Sequence, residues 1–456
     1  MGTQPLRGRE LLLAALRHER CDSVPWVPFA GVHAGRLRGY SALEILTDRA
    51  KLLESLLAVN QTYDPDGQPV LFDLQVEAEI LGCNLVWVDK GPPTVVSHPL
   101  AEATVIPSYL PTESDGRLPM ILDTMRAMKR TVGHKTALYG LVTGPLTLAS
   151  HLRGTEVFMD MFDHPEFLAG LLAYCGEVVK RVATMYIEAG MDVIAVVDPV
   201  VSQISPRHFT KMLGPVYTDV FAFIRAKGVF SSFFVCGDAT KNLDAMCHTA
   251  PDSISVDENI DLLAAKRVTD RYNVAIGGNI PLTTRMLLGS QQDNMKFVVD
   301  LLAQVGEVRN FILAPGCDMP YDVPVENTVG VVQAVRDPEG TREMLANYRP
   351  EEIDLSTVVL PDYAHLNKPL VEVFTLDSDT CAACSYMRDA ALRAVDGLEG
   401  LVDVQEYKFT SKDNIARMMK LGVKNLPSIY INGELRYSSI IPSNRELTDD
   451  IKRHLD

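Results

Sequence analysis

No stretch of this chain approaches the run of about 20 apolar residues that a membrane-spanning helix requires. The first residues, Met1-Gly-Thr-Gln-Pro5, lack a charged segment leading into an apolar one, so no secretory signal is read and a cytoplasmic location is expected. Positive charge is also short. Lys and Arg number 43 against 59 Asp and Glu, a net charge of −16, which argues against nucleic acid or an anionic membrane as partner. A local basic patch for an acidic small molecule stays open. There is no Gly-x-Gly-x-x-Gly turn to cradle a dinucleotide, and no internal repeat or low-complexity tract. Eight cysteines in an unexported chain read as reduced thiols, with any disulfide expected to be catalytic.

What remains is a soluble globular composition in 456 residues, too many for one ordinary core. Residues 7–20 carry Leu11, Leu12, Ala15 and Leu16 on one helical face, and Trp26–Ala30 reads as a short strand. Continuously apolar runs then alternate with helical stretches: Thr136–Val142, Val193–Val197, Phe230–Val235, Ser253–Val256, Val274–Ile276 and Phe311–Leu313, with helices over Glu166–Ala189, Lys211–Lys227 and Met295–Val305. Continuous rather than alternating apolar strands are those of a parallel sheet covered on both faces. A spacing of roughly 30 to 45 residues per unit predicts an α/β fold of the (β/α)8 TIM-barrel type, with a doubly wound open sheet as the rival.

The pattern changes after Arg336. Residues 337–367 are rich in Pro, Glu and Asp, with a terminal helix expected over Arg342–Tyr348. The expected organisation is a barrel over residues 1–345, a linker over 346–367 and a small α/β domain over 368–456. In that domain the strand Leu370–Phe374 precedes Cys381-Ala-Ala-Cys384 and a helical stretch. A thiol at a helix N-terminus is stabilised as thiolate, and two intervening residues permit a reversible disulfide. A half zinc site is the other reading of such a pair, but no second Cys or His pair lies in this segment. Further on, Leu426-Pro427 opens the strand-like Ser428–Ile431, which ends on Asn432-Gly433. This arrangement resembles the thioredoxin/glutaredoxin family. The resemblance implies Cys381 as attacking thiol, Cys384 as resolving thiol and Pro427 as a cis-proline beside them.

Two more cysteines each follow an apolar run: Cys236 in Val235-Cys-Gly-Asp238 and Cys317 in Pro315-Gly-Cys-Asp318. Strand ends carry the chemistry of barrel enzymes, and two thiols meeting there suit a soft metal or a redox pair. Taken singly, each is more often just a small buried hydrophobe. Their flanks, together with Gln75–Gly82, Gly140–Ala149, Gly278–Pro281 and Pro324–Asn327, resemble the uroporphyrinogen decarboxylase superfamily, a (β/α)8 fold. The decarboxylase branch implies an Arg-Gln-Ala-Gly-Arg segment, an Asp that grips pyrrole N–H groups and a late His. Here the segment reads Val32-His33-Ala34-Gly35-Arg36, Asp73 matches the Asp, and Cys317 stands at the His position. Loss of a guanidinium and the His weakens a carboxylate-binding site, so porphyrinogen decarboxylation is disfavoured.

The second branch holds zinc-dependent methyltransferases that pass a methyl group from a methyl-corrinoid protein to a thiol. Its metal motif implies Cys236 and Cys317 as ligands, with Phe234 where a His is expected. A third ligand would then come from His33, Glu79, Asp198 or Asp238. The leading expectation is a methyltransferase barrel with conditional zinc. It would act on a corrinoid protein or free cobalamin (methylcobalamin as donor) and a small thiol or other acceptor, with an attached dithiol redox module. Asp73, Arg36 and His33 are the candidates for binding substrate or corrinoid. The alternatives are a metal-free barrel in which Cys236 and Cys317 are the redox pair, and a non-catalytic tetrapyrrole or corrinoid binder. A homo-oligomer stays open.

Overall fold

The computed structural model describes residues 6–306, 308–349, 353–379, 382–398, 400–439 and 441–455. They fall into two compact units, residues 1–201 with 205–348, and residues 349–456 with 202–204.

The first unit is built on a curled parallel sheet of seven strands: β1 (Gly67–Pro69), β4 (Ala137–Thr143), β5 (Val193–Val197), β6 (Phe230–Val235), β7 (Ser253–Val256), β8 (Ala275–Ile280) and β9 (Phe311–Pro315). A short antiparallel hairpin of β2 (Leu85–Val86) and β3 (Thr94–Val95) lies in the loop between β1 and β4. The seven strands follow one another in chain order with no reversal, which removes the doubly wound alternative and its switch point. The edges are joined by the segment around Trp26. The Val27 N–H donates to the Leu313 carbonyl at 3.0 Å, and the Leu313 N–H donates to the Pro25 carbonyl at 2.9 Å. On the other side the Trp26 carbonyl accepts from the N–H groups of Asp66 (2.9 Å) and Gly67 (3.3 Å). The sheet is therefore TIM-barrel-like.

The expected strand over Trp26–Ala30 is reduced to one parallel bridge, Trp26 with Leu313. Pro25 and Pro28 bracket it, and neither has an N–H to extend a ladder. Elsewhere the apolar runs became strands close to their expected limits, since runs such as Val-Ile-Ala-Val-Val in β5 are buried on both faces. The interior is filled by Val27, Phe29, Phe72, Tyr139, Leu141, Ala195, Val197, Phe234, Ile312 and Ala314. At the amino ends of the strands, buried carboxylates tie the outer layer down. Asp66 accepts from the Gly8 and Trp26 N–H groups and pairs with Arg336, while Asp192 pairs with Arg9 and Lys129. The helix expected over Arg342–Tyr348 forms earlier, at Pro338–Met344, where Asp337 caps it and Pro338 occupies its first turn.

The second unit holds a four-stranded sheet, β10 (Leu370–Thr375), β11 (Asp403–Lys408), β12 (Ser428–Ile431) and β13 (Glu434–Ser438), in the order β11-β10-β12-β13. β10 runs parallel to β11 and antiparallel to β12, and β12 runs antiparallel to β13. Val371 and Val373 pack on Met387, Ala391, Leu447 and Ile451 from the helices Ala382–Ala394 and Asn444–Lys452. Phe374 faces Met418 of Lys412–Leu421, so the alternation along β10 sends its two faces to different helices.

Candidate functional site

The residues singled out in the barrel gather after the carboxyl ends of its strands. Cys236 directly follows β6, and Cys317 follows β9 by two residues. They are bonded to each other as a disulfide with Cα atoms 5.9 Å apart, although 81 residues separate them. Both are half-buried and rest on the apolar interior. Gly316 makes this approach feasible, because a Cβ there would stand 2.6 Å from the Glu258 backbone nitrogen. The loop carrying Glu258 is clamped in turn by Asn279, whose amide donates to the carbonyls of Asp257 (2.9 Å) and Ile260 (2.8 Å).

Phe234 occupies the position where the resemblance places a histidine. It is fully buried, with its ring centroid 4.7 Å from Phe29 and 5.7 Å from Phe72. The ring is one of the side chains that fill the barrel and has no donor to offer. The four candidate third ligands are engaged elsewhere. His33 is buried, its Nε2 at 2.7 Å from the Tyr63 hydroxyl and its Nδ1 at 3.1 Å from the Tyr321 carbonyl, and burial lowers its pKa to about 4. Glu79 pairs with Arg117 at 2.7 Å. Asp198 accepts from the N–H groups of Leu146 (2.8 Å) and Thr147 (3.0 Å), from the Thr147 hydroxyl (2.6 Å) and from Tyr217. It anchors the helix Pro145–Arg153 at its start. Asp238 accepts from the Thr240 N–H in its own turn. Among the described residues no three His, Cys, Asp or Glu side chains converge as a metal site. With both sulfurs bonded to one another and Phe234 in the place of the expected histidine, the donor set does not fit the zinc that the resemblance implies.

Asp73 is buried after β1. One oxygen takes Arg117 Nη1 at 2.5 Å and the other accepts from the Gln75 N–H at 2.8 Å. Arg117 lies over Trp87, its guanidinium 5.0 Å from the ring centroid, so its charge is met by Asp73 and Glu79 and shielded from water. Arg36 is exposed and pairs with Asp322 at 3.1 Å.

Sequence reasoning missed four residues of this mouth. Glu77 is buried, accepts from the Thr143 hydroxyl (2.7 Å) and N–H (3.2 Å), and is pushed up to about 7 by burial. Glu258 is pushed up to about 8 by burial and the neighbouring Asp257 charge, and its Oε1 is buried with no hydrogen-bond partner. Asp318, whose Oδ1 accepts from the Gly31 N–H at 2.7 Å, is raised to about 8 by burial. Arg117 is the fourth. Glu258 and Asp318 carried a signal, being two and three residues beyond apolar strands, whereas Arg117 stands at the start of the helix Leu118–Val132, away from any strand end, with none. In the second unit, Cys381 lies outside the described residues. Cys384 is buried and its Sγ accepts from the Leu376 N–H at 3.4 Å, and the Leu426–Pro427 bond before β12 is cis.

A curled parallel sheet with its ionisable and thiol residues at the carboxyl ends of the strands is the architecture of a barrel enzyme. The family model described as uroporphyrinogen decarboxylase (URO-D) matches residues 7–338, and the chain belongs to that family. The chain is 27% identical to the methylcobamide:CoM methyltransferase MtbA of Methanosarcina acetivorans over 72% of its own length and 97% of that protein's. It is 28% identical to the methylcobamide:CoM methyltransferase MtaA of Methanosarcina barkeri, over 71% and 96%. Uroporphyrinogen decarboxylase of Trichormus variabilis is 25% identical over 69% and 93%. Among solved structures, a methyltransferase from Methanosarcina mazei superposes with a TM-score of 0.66 at 24% identity, over 72% of this chain and 98% of that one. The relatives are thus enzymes of two kinds, corrinoid methyltransferases and porphyrinogen decarboxylases. No helix among the described residues is long and apolar enough to cross a membrane.

Proposed function

We propose that the barrel transfers a methyl group from a methyl-corrinoid, free or carried by a protein, to a small thiol, and that Cys236 and Cys317 mark the place of transfer. The observation that carries this reading is the meeting of these two thiols at strand ends of a barrel whose relatives include methylcobamide:CoM methyltransferases. In such a step the acceptor thiolate attacks the methyl carbon in line. A C–S bond forms, the Co–C bond breaks, and its electron pair stays on cobalt as Co(I). The barrel contributes position and exclusion of water.

The ion pairing at the mouth favours this substrate class over porphyrinogens. Asp73, Glu77, Glu258 and Asp318 are gathered near the strand ends, and Arg117 is already neutralised by two of its neighbours. A substrate bearing many carboxylates would find the Arg117 guanidinium already taken by Asp73 and Glu79, whereas the corrin ring presents neutral amides at its edge. Asp73 and His33 serve here by shaping the loops after the first and second barrel segments. Zinc is not carried into this reading, since Phe234 and the bonded cysteines leave it no donor set.

For the second unit we retain the division into a barrel over 1–345, a linker over 346–367 and a thioredoxin-like module over 368–456. The strand order of the small sheet supports it, with Cys381 and Cys384 as its dithiol. The test of the main reading is methylcobalamin consumption by the prereduced protein across a panel of thiols. Thiol-dependent loss of the methylcobalamin spectrum that disappears in Cys236→Ser/Cys317→Ser supports methyl transfer at this mouth. Equal rates in both proteins exclude it.

A further inference from the structure

We propose that Cys236 and Cys317 form a redox-active dithiol/disulfide site in the barrel mouth whose co-substrate is a dithiol. This goes beyond methyl transfer and does not depend on it.

Placement argues first. β6 and β9 are not neighbours; β7 and β8 lie between them, so the bond reaches across the ring of strand ends rather than along it. A staple is not needed there. β6 is already hydrogen-bonded to β5 and β7, and β9 to β8 and the Pro25–Val27 segment. The other barrel thiols differ in kind. Cys21, Cys83, Cys175 and Cys247 are buried, and burial pushes each thiol up, which leaves it protonated and inert. Cys236 and Cys317 are half-buried, so a small reagent entering the mouth reaches them. The histidine expected beside this pair is replaced by Phe234, whose ring packs on Phe29 and Phe72. A thiol pair held within bonding distance can exchange two electrons whether or not a methyl group is transferred beside it.

The exchange balances. One thiolate of the co-substrate attacks one sulfur of the Cys236–Cys317 bond, that bond breaks, and the other cysteine leaves with the electron pair and takes a proton. The second thiol of the co-substrate, as thiolate, then attacks the mixed disulfide and expels the first cysteine. The barrel pair has gained two electrons and two protons, and the dithiol has become a disulfide. A dithiol suits a half-buried site because its second thiol is tethered at high effective concentration, whereas a monothiol must find room for a second molecule.

The test uses the full chain equilibrated in graded ratios of reduced to oxidised dithiothreitol, quenched in acid, alkylated and read by peptide mass spectrometry. The expected result is that Cys236 and Cys317 become alkylated together in one reversible two-electron transition. Reduced glutathione should open the pair about tenfold more slowly than the dithiol. Alkylation of both at every ratio, or of neither until the protein unfolds, overturns the proposal. A Cys381→Ser/Cys384→Ser variant separates the sources of the dithiol. Slower opening by glutathione in that variant assigns the supply to the chain's own Cys381–Cys384 pair, and unchanged opening assigns it to an external dithiol. No corrinoid is present, so failure here leaves methyl transfer standing, and failure of methyl transfer leaves this result standing.

Discussion

Single residues in this barrel mouth do opposite jobs under similar chemistry. Asp198 was a reasonable ligand candidate from its place after an apolar strand, yet its oxygens are consumed by one helix start and Tyr217. Asp198→Ala leaves the Leu146 and Thr147 N–H groups unpaired in the interior and should lower stability by about 2–4 kcal/mol in urea unfolding. Glu77 works through protonation. Its folded pKa of about 7 lies above the ordinary glutamate value of 4.5, so the protein binds a proton there more tightly when folded. The associated stability is complete below about pH 4.5 and is lost as the pH rises through about 7, a change on the order of 3 kcal/mol. Glu258 and Asp318, each raised to about 8, act in the same direction. Glu77→Gln should flatten the fall in unfolding free energy between pH 4.5 and 7, and an unchanged slope would remove Glu77 as its source. None of this was legible from sequence, where a carboxylate carries no mark of its burial. The two cysteines were legible because each broke an apolar run with Gly and Asp, but their pairing needed the barrel to close.

At the level of elements, continuous apolar runs identified the central strands because both faces of each are covered. The rule failed at Trp26–Ala30, where local apolar content was right but two prolines withheld the donors a ladder needs. It also missed how much β10 tolerates. Glu372 is fully buried on that strand, with its oxygens taken by Arg417 Nη2 (2.5 Å), Arg417 Nε (3.0 Å) and the Tyr363 hydroxyl (2.7 Å). Arg417 is further covered by Tyr407, 4.3 Å from its guanidinium. Removing one partner leaves the other charge buried, so Arg417→Leu should destabilise the second unit by about 3–5 kcal/mol. Arg417→Leu combined with Glu372→Met should recover much of that loss. Chemical unfolding followed by a probe within residues 368–456 measures both, and an unrecovered double variant would show that the ion pair itself is stabilising.

For the whole molecule, the compact unit that holds the barrel runs to Tyr348, beyond the change in composition after Arg336, and Val359 in the following segment is 85% exposed. Limited proteolysis should therefore cut first within residues 346–367 and release a fragment of roughly 90 residues, a pattern expected of an exposed connecting segment. First cuts inside either sheet would contradict the division. The family was legible because several short motifs kept their order along one barrel. The conditional standing of the metal was legible too, because Phe234 could be read at the position where the resemblance expects a His. Methyl transfer to a thiol at Cys236 and Cys317 is read out by the anaerobic absorbance of methylcobalamin with prereduced protein and a thiol panel. Conversion of methyl-Co(III) to Co(I) is expected to require an added thiol and to be lost in Cys236→Ser/Cys317→Ser. Conversion at the same rate in that variant, or none with any thiol, would contradict it.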